Sequence, residues 1–89
     1  MSAVDITATL PGVFYRSPGP GKDPYVQEGD RVAVGDVIGI TEIMKQFAEI
    51  TSTAAGVLTT IHVENGALLT PGQPVASVDT APADTAGGA

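Results

Sequence analysis

The chain has 89 residues, four basic and ten acidic side chains for a net charge of -6, no cysteine, and two Tyr and two Phe as its aromatics. That length suits one small domain whose core is built from Val, Ile, Leu and Ala. The acidic balance disfavours nucleic acid and anionic membranes as partners, and the lack of cysteine excludes disulfides and thiol catalysis and leaves too few ligands for a zinc site.

Met1 to Leu10 has neither the basic start nor the apolar stretch of a signal peptide. No run approaches the ~18 apolar residues of a membrane helix. The expectation is a soluble cytoplasmic protein. From Ile6 onward the chain repeats itself. Ile6-Thr-Ala-Thr-Leu-Pro-Gly-Val-Phe14 aligns with Ile50-Thr-Ser-Thr-Ala-Ala-Gly-Val-Leu58 at an offset of 44, with five of nine positions identical. Val26-Gln-Glu-Gly29 then aligns with Val63-Glu-Asn-Gly66 at an offset of 37, and Val32, Gly35 and Ile38 fall on Leu69, Gly72 and Val75.

The two offsets differ by seven, so the first copy carries an insertion between Phe14 and Val26. Its Pro18-Gly-Pro-Gly21 cannot form a ladder, because proline lacks the N–H donor and glycine packs nothing, so the segment is expected to protrude. Short runs follow at Val37 to Thr41, Gly56 to Val63 and Val75 to Val78, with β-branched residues and glycine turns between them. An all-β domain is the expectation. A helix from Ile43 to Ile50 is the competing local reading, since Met44, Phe47, Ala48 and Thr51 would share a face; the repeat opposes it, because Ile50 to Thr53 match residues that open a strand in the first copy. Thr80 to Ala89 has almost nothing to bury and reads as a disordered tail behind a domain of residues 1–79.

Lys45, one of two lysines, falls where the two copies join. If the copies pack about a pseudo-twofold axis, the joint is expected near that axis at one end and the termini near it at the other. Lys45 would then stand on an exposed hairpin turn, its backbone fixed and its four-carbon stem free. Met44 has the alternative of a core position at a strand end, and Glu42 that of a plain exposed turn carboxylate. His62, the single histidine, lacks a nucleophile pattern or second ligand nearby and reads as a partly exposed strand histidine.

Glu42-Ile43-Met44-Lys45 resembles the biotin attachment motif, usually Glu-Ala-Met-Lys-Met, of biotin carboxyl carrier domains. Gly12-Val-Phe-Tyr-Arg-Ser-Pro18 is similar to the Gly-Thr-Phe-Tyr-Arg-Ser-Pro segment of the carriers of bacterial and plastid acetyl-CoA carboxylases. Val26 to Asp36, Gly56-Val-Leu58 and Val63 to Gly66 follow the same family in order and spacing. The resemblance runs from about Leu10 to Val78, with Ile43 at the usual Ala and Gln46 at the usual second Met.

The resemblance implies a flattened barrel-sandwich of two four-stranded sheets, of biotinyl/lipoyl type, with an internal pseudo-twofold repeat. It implies a carrier without catalysis of its own, bearing covalent biotin on Lys45. A biotin protein ligase would recognise Glu42, Met44 and Gln46 and acylate the amine. Biotin carboxylase and a carboxyltransferase would then share the tethered ring, in acetyl-CoA carboxylase and fatty acid synthesis. Ser17, Pro18, Gly19, Pro20, Gly21, Lys22, Asp23 and Pro24 correspond to the thumb that lies beside biotin in those carriers. The alternatives are a lipoyl carrier domain, whose turn is typically Asp-Lys-Ala without a proline-rich insertion, and an unmodified binding module that uses Lys45 only as charge.

Overall fold

A computed structural model describes residues 3–80. They form eight strands: β1 (Ala3–Thr7), β2 (Gly12–Tyr15), β3 (Arg31–Val32), β4 (Val37–Ile43), β5 (Gln46–Thr51), β6 (Gly56–Ile61), β7 (Leu68–Leu69) and β8 (Pro74–Asp79). One sheet has the order β1-β8-β6-β3 and the other β5-β4-β2-β7, and all neighbouring strands are antiparallel. Advancing every strand of the first sheet by four places, counted cyclically, gives the second. The all-β barrel-sandwich and its internal repeat are both present.

The correspondence reaches individual bonds. Gly29 N donates to Leu58 O and Gly66 N to Phe14 O, both at 2.7 Å; Gly35 N donates to Ser52 O at 2.8 Å and Gly72 N to Ala8 O at 2.7 Å. Each half therefore closes its turns onto the other, so neither is complete alone. The core follows the same rule: Phe14 matches Leu58, Val32 matches Leu69 and Ile38 matches Val75, all buried between the sheets. Burying side chains of this size contributes roughly 1.5–3 kcal/mol each.

Strand ends depart from the sequence expectation by one or two residues. β4 runs on to Ile43, β6 stops at Ile61, and β8 takes in Pro74 and Asp79. Ile50 and Thr51 close β5, as Ile6 and Thr7 close β1, rather than opening strands. The helix alternative over 43–50 fails because cross-strand pairs Ile43–Gln46, Glu42–Phe47 and Thr41–Ala48 make this segment a hairpin. The joint is also not on the pseudo-axis. The operation that carries β4 and β5 onto β8 and β1 exchanges the joint with the meeting point of the chain ends, where Ala3 pairs with Asp79. The expected tail beyond Thr80 lies outside the described residues.

Close approach explains one glycine of the frame. A Cβ on Gly56 would run into the carbonyl oxygen of Asp79, so β6 can cross the end of β8 only with a hydrogen there.

Candidate functional site

The β4–β5 hairpin turns on two residues, Met44 and Lys45, with φ of 52° and 68°. Successive positive φ values are those of a type I′ turn, whose twist matches that of paired strands. Neither residue is glycine, and holding an L-residue in this region costs of order 1 kcal/mol each. The ladder of seven-residue β4 against six-residue β5 holds the turn. Lys45 is exposed at the tip, as the repeat predicted. Met44 is 91 % exposed, so its alternative place in the core is excluded. Gln46 is exposed beside it.

Glu42 is not a turn residue. It lies within β4, half-buried, and its Oε1 accepts a hydrogen bond from the Tyr15 hydroxyl at 3.2 Å. Desolvation, that hydrogen bond and the Glu42 charge together hold the Tyr15 phenol above its ordinary range. Strand pairing places Tyr15 opposite Ile40 and Glu42 opposite Phe47, so with period-two alternation these four side chains share one face. Ile40 is buried, although it does not belong to the core between the sheets.

The insertion stands beside this face. The chain leaves the sheet after Tyr15, and a turn over Gly19–Lys22 closes with Lys22 N donating to Gly19 O at 3.1 Å. Pro20 and Gly21, the latter with φ of 73°, occupy the central positions that a type II turn reserves for these residues. The base is pinned twice: Tyr25 N donates to Arg16 O at 2.8 Å, and Arg16 N donates to Asn65 Oδ1 at 2.8 Å. The protrusion expected for Ser17 to Pro24 is therefore an anchored loop. Lys22 and Asp23 are exposed on it and Pro24 is half-buried at its return.

Between loop and hairpin lies a groove of about 480 Å³. Tyr15, Glu42 and Phe47 form one wall, Ser17 to Gly21 the other, and Asn65 one end. Phe47 is 62 % exposed, and it also borders a second surface groove with Leu10, Ile43 and Met44 on the opposite side of the hairpin. Tyr15, Phe47 and Asn65 are not among the site residues that the sequence suggests. Alternation from Gln46 marks Phe47 as facing away from its neighbour, but nothing local joins Asn65 to the insertion.

His62 is exposed one residue beyond β6, and it has company that the sequence did not show. Its Nε2 lies 2.7 Å from Ser77 Oγ, which donates to Asp5 Oδ1 at 2.7 Å. Since the one Ser77 proton is committed to Asp5, the imidazole N–H must donate to Oγ. His62 cannot take the serine proton in this arrangement, so the trio ties β1, β8 and β6 together rather than activating a nucleophile. Among the described residues, no group of three or more His, Asp or Glu is placed to hold a metal, and no helix is long and apolar enough to cross a membrane.

Two quasi-equivalent four-stranded sheets, with the edge hairpin of one presenting a lysine at its tip, define a class of barrel-sandwich domain that displays a lysine on a turn. Within it the chain belongs to the biotin-requiring enzyme family, whose sequence profile matches residues 4–78. It is 40 % identical over 75 residues to the biotin carboxyl carrier protein of acetyl-CoA carboxylase 2, chloroplastic, of Arabidopsis thaliana, covering 84 % of this chain and 27 % of that protein. It is 37 % identical over 75 residues to the biotin carboxyl carrier protein of acetyl-CoA carboxylase of Porphyra purpurea, covering 84 % and 48 %. The corresponding protein of a Nostoc species is 35 % identical over 71 residues, covering 80 % and 39 %. The chain thus spans about a quarter to a half of the length of these relatives.

Proposed function

We propose that residues 1–79 form a biotin carboxyl carrier domain, with biotin joined through an amide to Lys45. The observation that carries this is the display of Lys45 at the tip of a type I′ hairpin, directly after Glu42-Ile43-Met44. The groove fits the group: it has apolar surface on both walls, Phe47 on one and the loop prolines on the other, and acceptors in Glu42 and Asn65 for ureido N–H donors. When bound, the ring supplies a nitrogen that takes up a carboxyl group and gives it back.

The chain's own contribution is placement. The hairpin fixes the Cα of Lys45 while the stem swings, which keeps the ring at high effective concentration for two successive enzymes. Met44 and Gln46, exposed on either side of the amine, are available for contact with a biotin protein ligase, and Glu42 would act there through the conformation of β4. The loop from Ser17 to Pro24 acts as the thumb. Biotin carboxylase and the carboxyltransferase of an acetyl-CoA carboxylase are the proposed partners, by similarity to relatives so named. Fatty acid synthesis in the cytoplasm is the proposed setting, and the domain itself does no chemistry in it.

Intact mass after incubation with a biotin protein ligase, biotin and ATP tests the reading. One added biotinyl group is expected, absent from Lys45→Arg. An unchanged mass, or a biotinyl group retained in Lys45→Arg, overturns it. The ligase contact predicts a faster transfer for Gln46→Met.

A further inference from the structure

The groove beside Lys45 is lined by one ionisable carboxylate and by no cation. Glu42 Oε1 is engaged by Tyr15, which leaves Oε2 as an acceptor directed by a partner on a neighbouring strand. Arg16 and Lys22, the cations of the insertion, are absent from the lining, and the amine of Lys45 is neutral once acylated. A tethered ureido ring offers N–H donors to such a wall. Carboxylation replaces one N–H by N–COO⁻, with the departing bicarbonate oxygen passing to the phosphate cleaved from ATP and the nitrogen proton to solvent. The loaded ring has lost a donor and gained a negative charge.

We propose that the Glu42–Tyr15 pair makes this groove selective for the uncarboxylated ring, so that loading the carrier releases the arm from the thumb. The inference rests on Lys45 carrying biotin. Reach is sufficient: Glu42 and Phe47 lie three and two residues from Lys45, roughly 7–10 Å along strands that rise about 3.4 Å per residue, less than the extended lysine and valeryl arm. The hydroxyl of Tyr15 holds the carboxylate in place, so the selectivity belongs to a pair on rigid strands rather than to the glycine-rich loop tip. Two like charges within roughly 10 Å, at an effective dielectric of about 20, alter an equilibrium about tenfold. That is enough to turn a mostly docked ring into a mostly free one.

The test attaches the ring chemically, so that its outcome is separate from recognition by any ligase. The chain contains no cysteine, so Lys45→Cys in the full chain is alkylated at one site. One sample takes an iodoacetyl derivative of biotin, and a second takes its ureido N-carboxymethyl analogue, a stable anionic stand-in for the loaded ring. Amide shifts of Gly19, Gly21 and Phe47 are compared with those of protein capped by iodoacetamide, and the remaining amides report on the fold. The neutral ring is expected to move these amides, and the anionic ring to leave them near the capped positions. Glu42→Gln should raise the docked fraction of the anionic ring about tenfold, and Tyr15→Phe should raise it less. Shifts equal for both rings, shifts absent for both, or an anionic ring indifferent to Glu42→Gln would each overturn the proposal.

Discussion

The Glu42–Phe47 pair and the Asp79–Ala3 pair occupy equivalent places in the two sheets, and the pairs behind them correspond as well: Thr41–Ala48 with Val78–Val4, and Ile40–Glu49 with Ser77–Asp5. Around the first pair the strands are joined by a turn and flanked by an anchored loop. Around the second, the described ends of the chain meet. In the half without the insertion, β6 continues to Ile61; in the half with it, β2 ends at Tyr15. The frame is thus nearly symmetric, while the features that could hold a tethered group are on one side. The groove forms where one copy of the repeat is interrupted, and Asn65 of the other copy bonds to the base of that interruption.

If the halves truly share one core, damage to either should destabilise both. Phe14 and Leu58 are equivalent and fully buried. Phe14→Ala is expected to cost about 4 kcal/mol and Leu58→Ala about 3 kcal/mol, each within a single cooperative urea transition followed by far-UV circular dichroism. A loss below about 1 kcal/mol at Leu58, or two separate transitions, would break the comparison by showing that the halves are energetically independent.

The symmetric part was legible because the same turn residues and apolar positions recur at fixed offsets, and each copy dictates its own local structure. Lys45 was legible because a joint between such copies must be a turn. What the chain did not show depends on which strands become neighbours. Tyr15 meets Glu42 across 27 positions, Asn65 meets Arg16 across 49, and Ser77 meets Asp5 across 72. The repeat states that two halves are alike but not how they interleave, and interleaving is what brings those side chains together. Met44 was ambiguous for a different reason. Its apolar character suits a core, but the backbone sign at a type I′ turn directs it outward.

The joint itself allows a sharper contrast, because its symmetry counterpart, where Ala3 pairs with Asp79, is not a turn. Replacing the strained pair by residues that adopt positive φ easily, Met44→Asn with Lys45→Gly, should stabilise the domain by about 1–2 kcal/mol. The urea midpoint would rise with an unchanged slope, and the protein would no longer accept biotin. Such a result would mean that the lysine is kept at the tip at a cost in stability. An unchanged or lower midpoint would show instead that the ladder of β4 and β5 accommodates the wild-type turn without strain.

The smallest expected effect separates the two halves by pH. Tyr15 corresponds to Thr59, so only the half with the insertion places a phenol at this point. Desolvation, the Glu42 hydrogen bond and the Glu42 charge raise the Tyr15 pKa in the folded state. The native protein therefore holds this proton more tightly than the unfolded chain, whose phenol titrates near about 10. The contribution is fully present below that pH, and it is lost as the pH rises through the folded value, because the unfolded state then binds fewer protons than the native one. Urea midpoints between about pH 9 and pH 11 should fall more steeply for the wild type than for Tyr15→Phe. Thr59→Val, in the half without an ionisable group at this position, should leave the wild-type slope intact. Equal slopes for the wild type and Tyr15→Phe would mean that the Tyr15–Glu42 contact is not maintained in solution. The wall of the groove would then lose the hydrogen bond that orients its carboxylate.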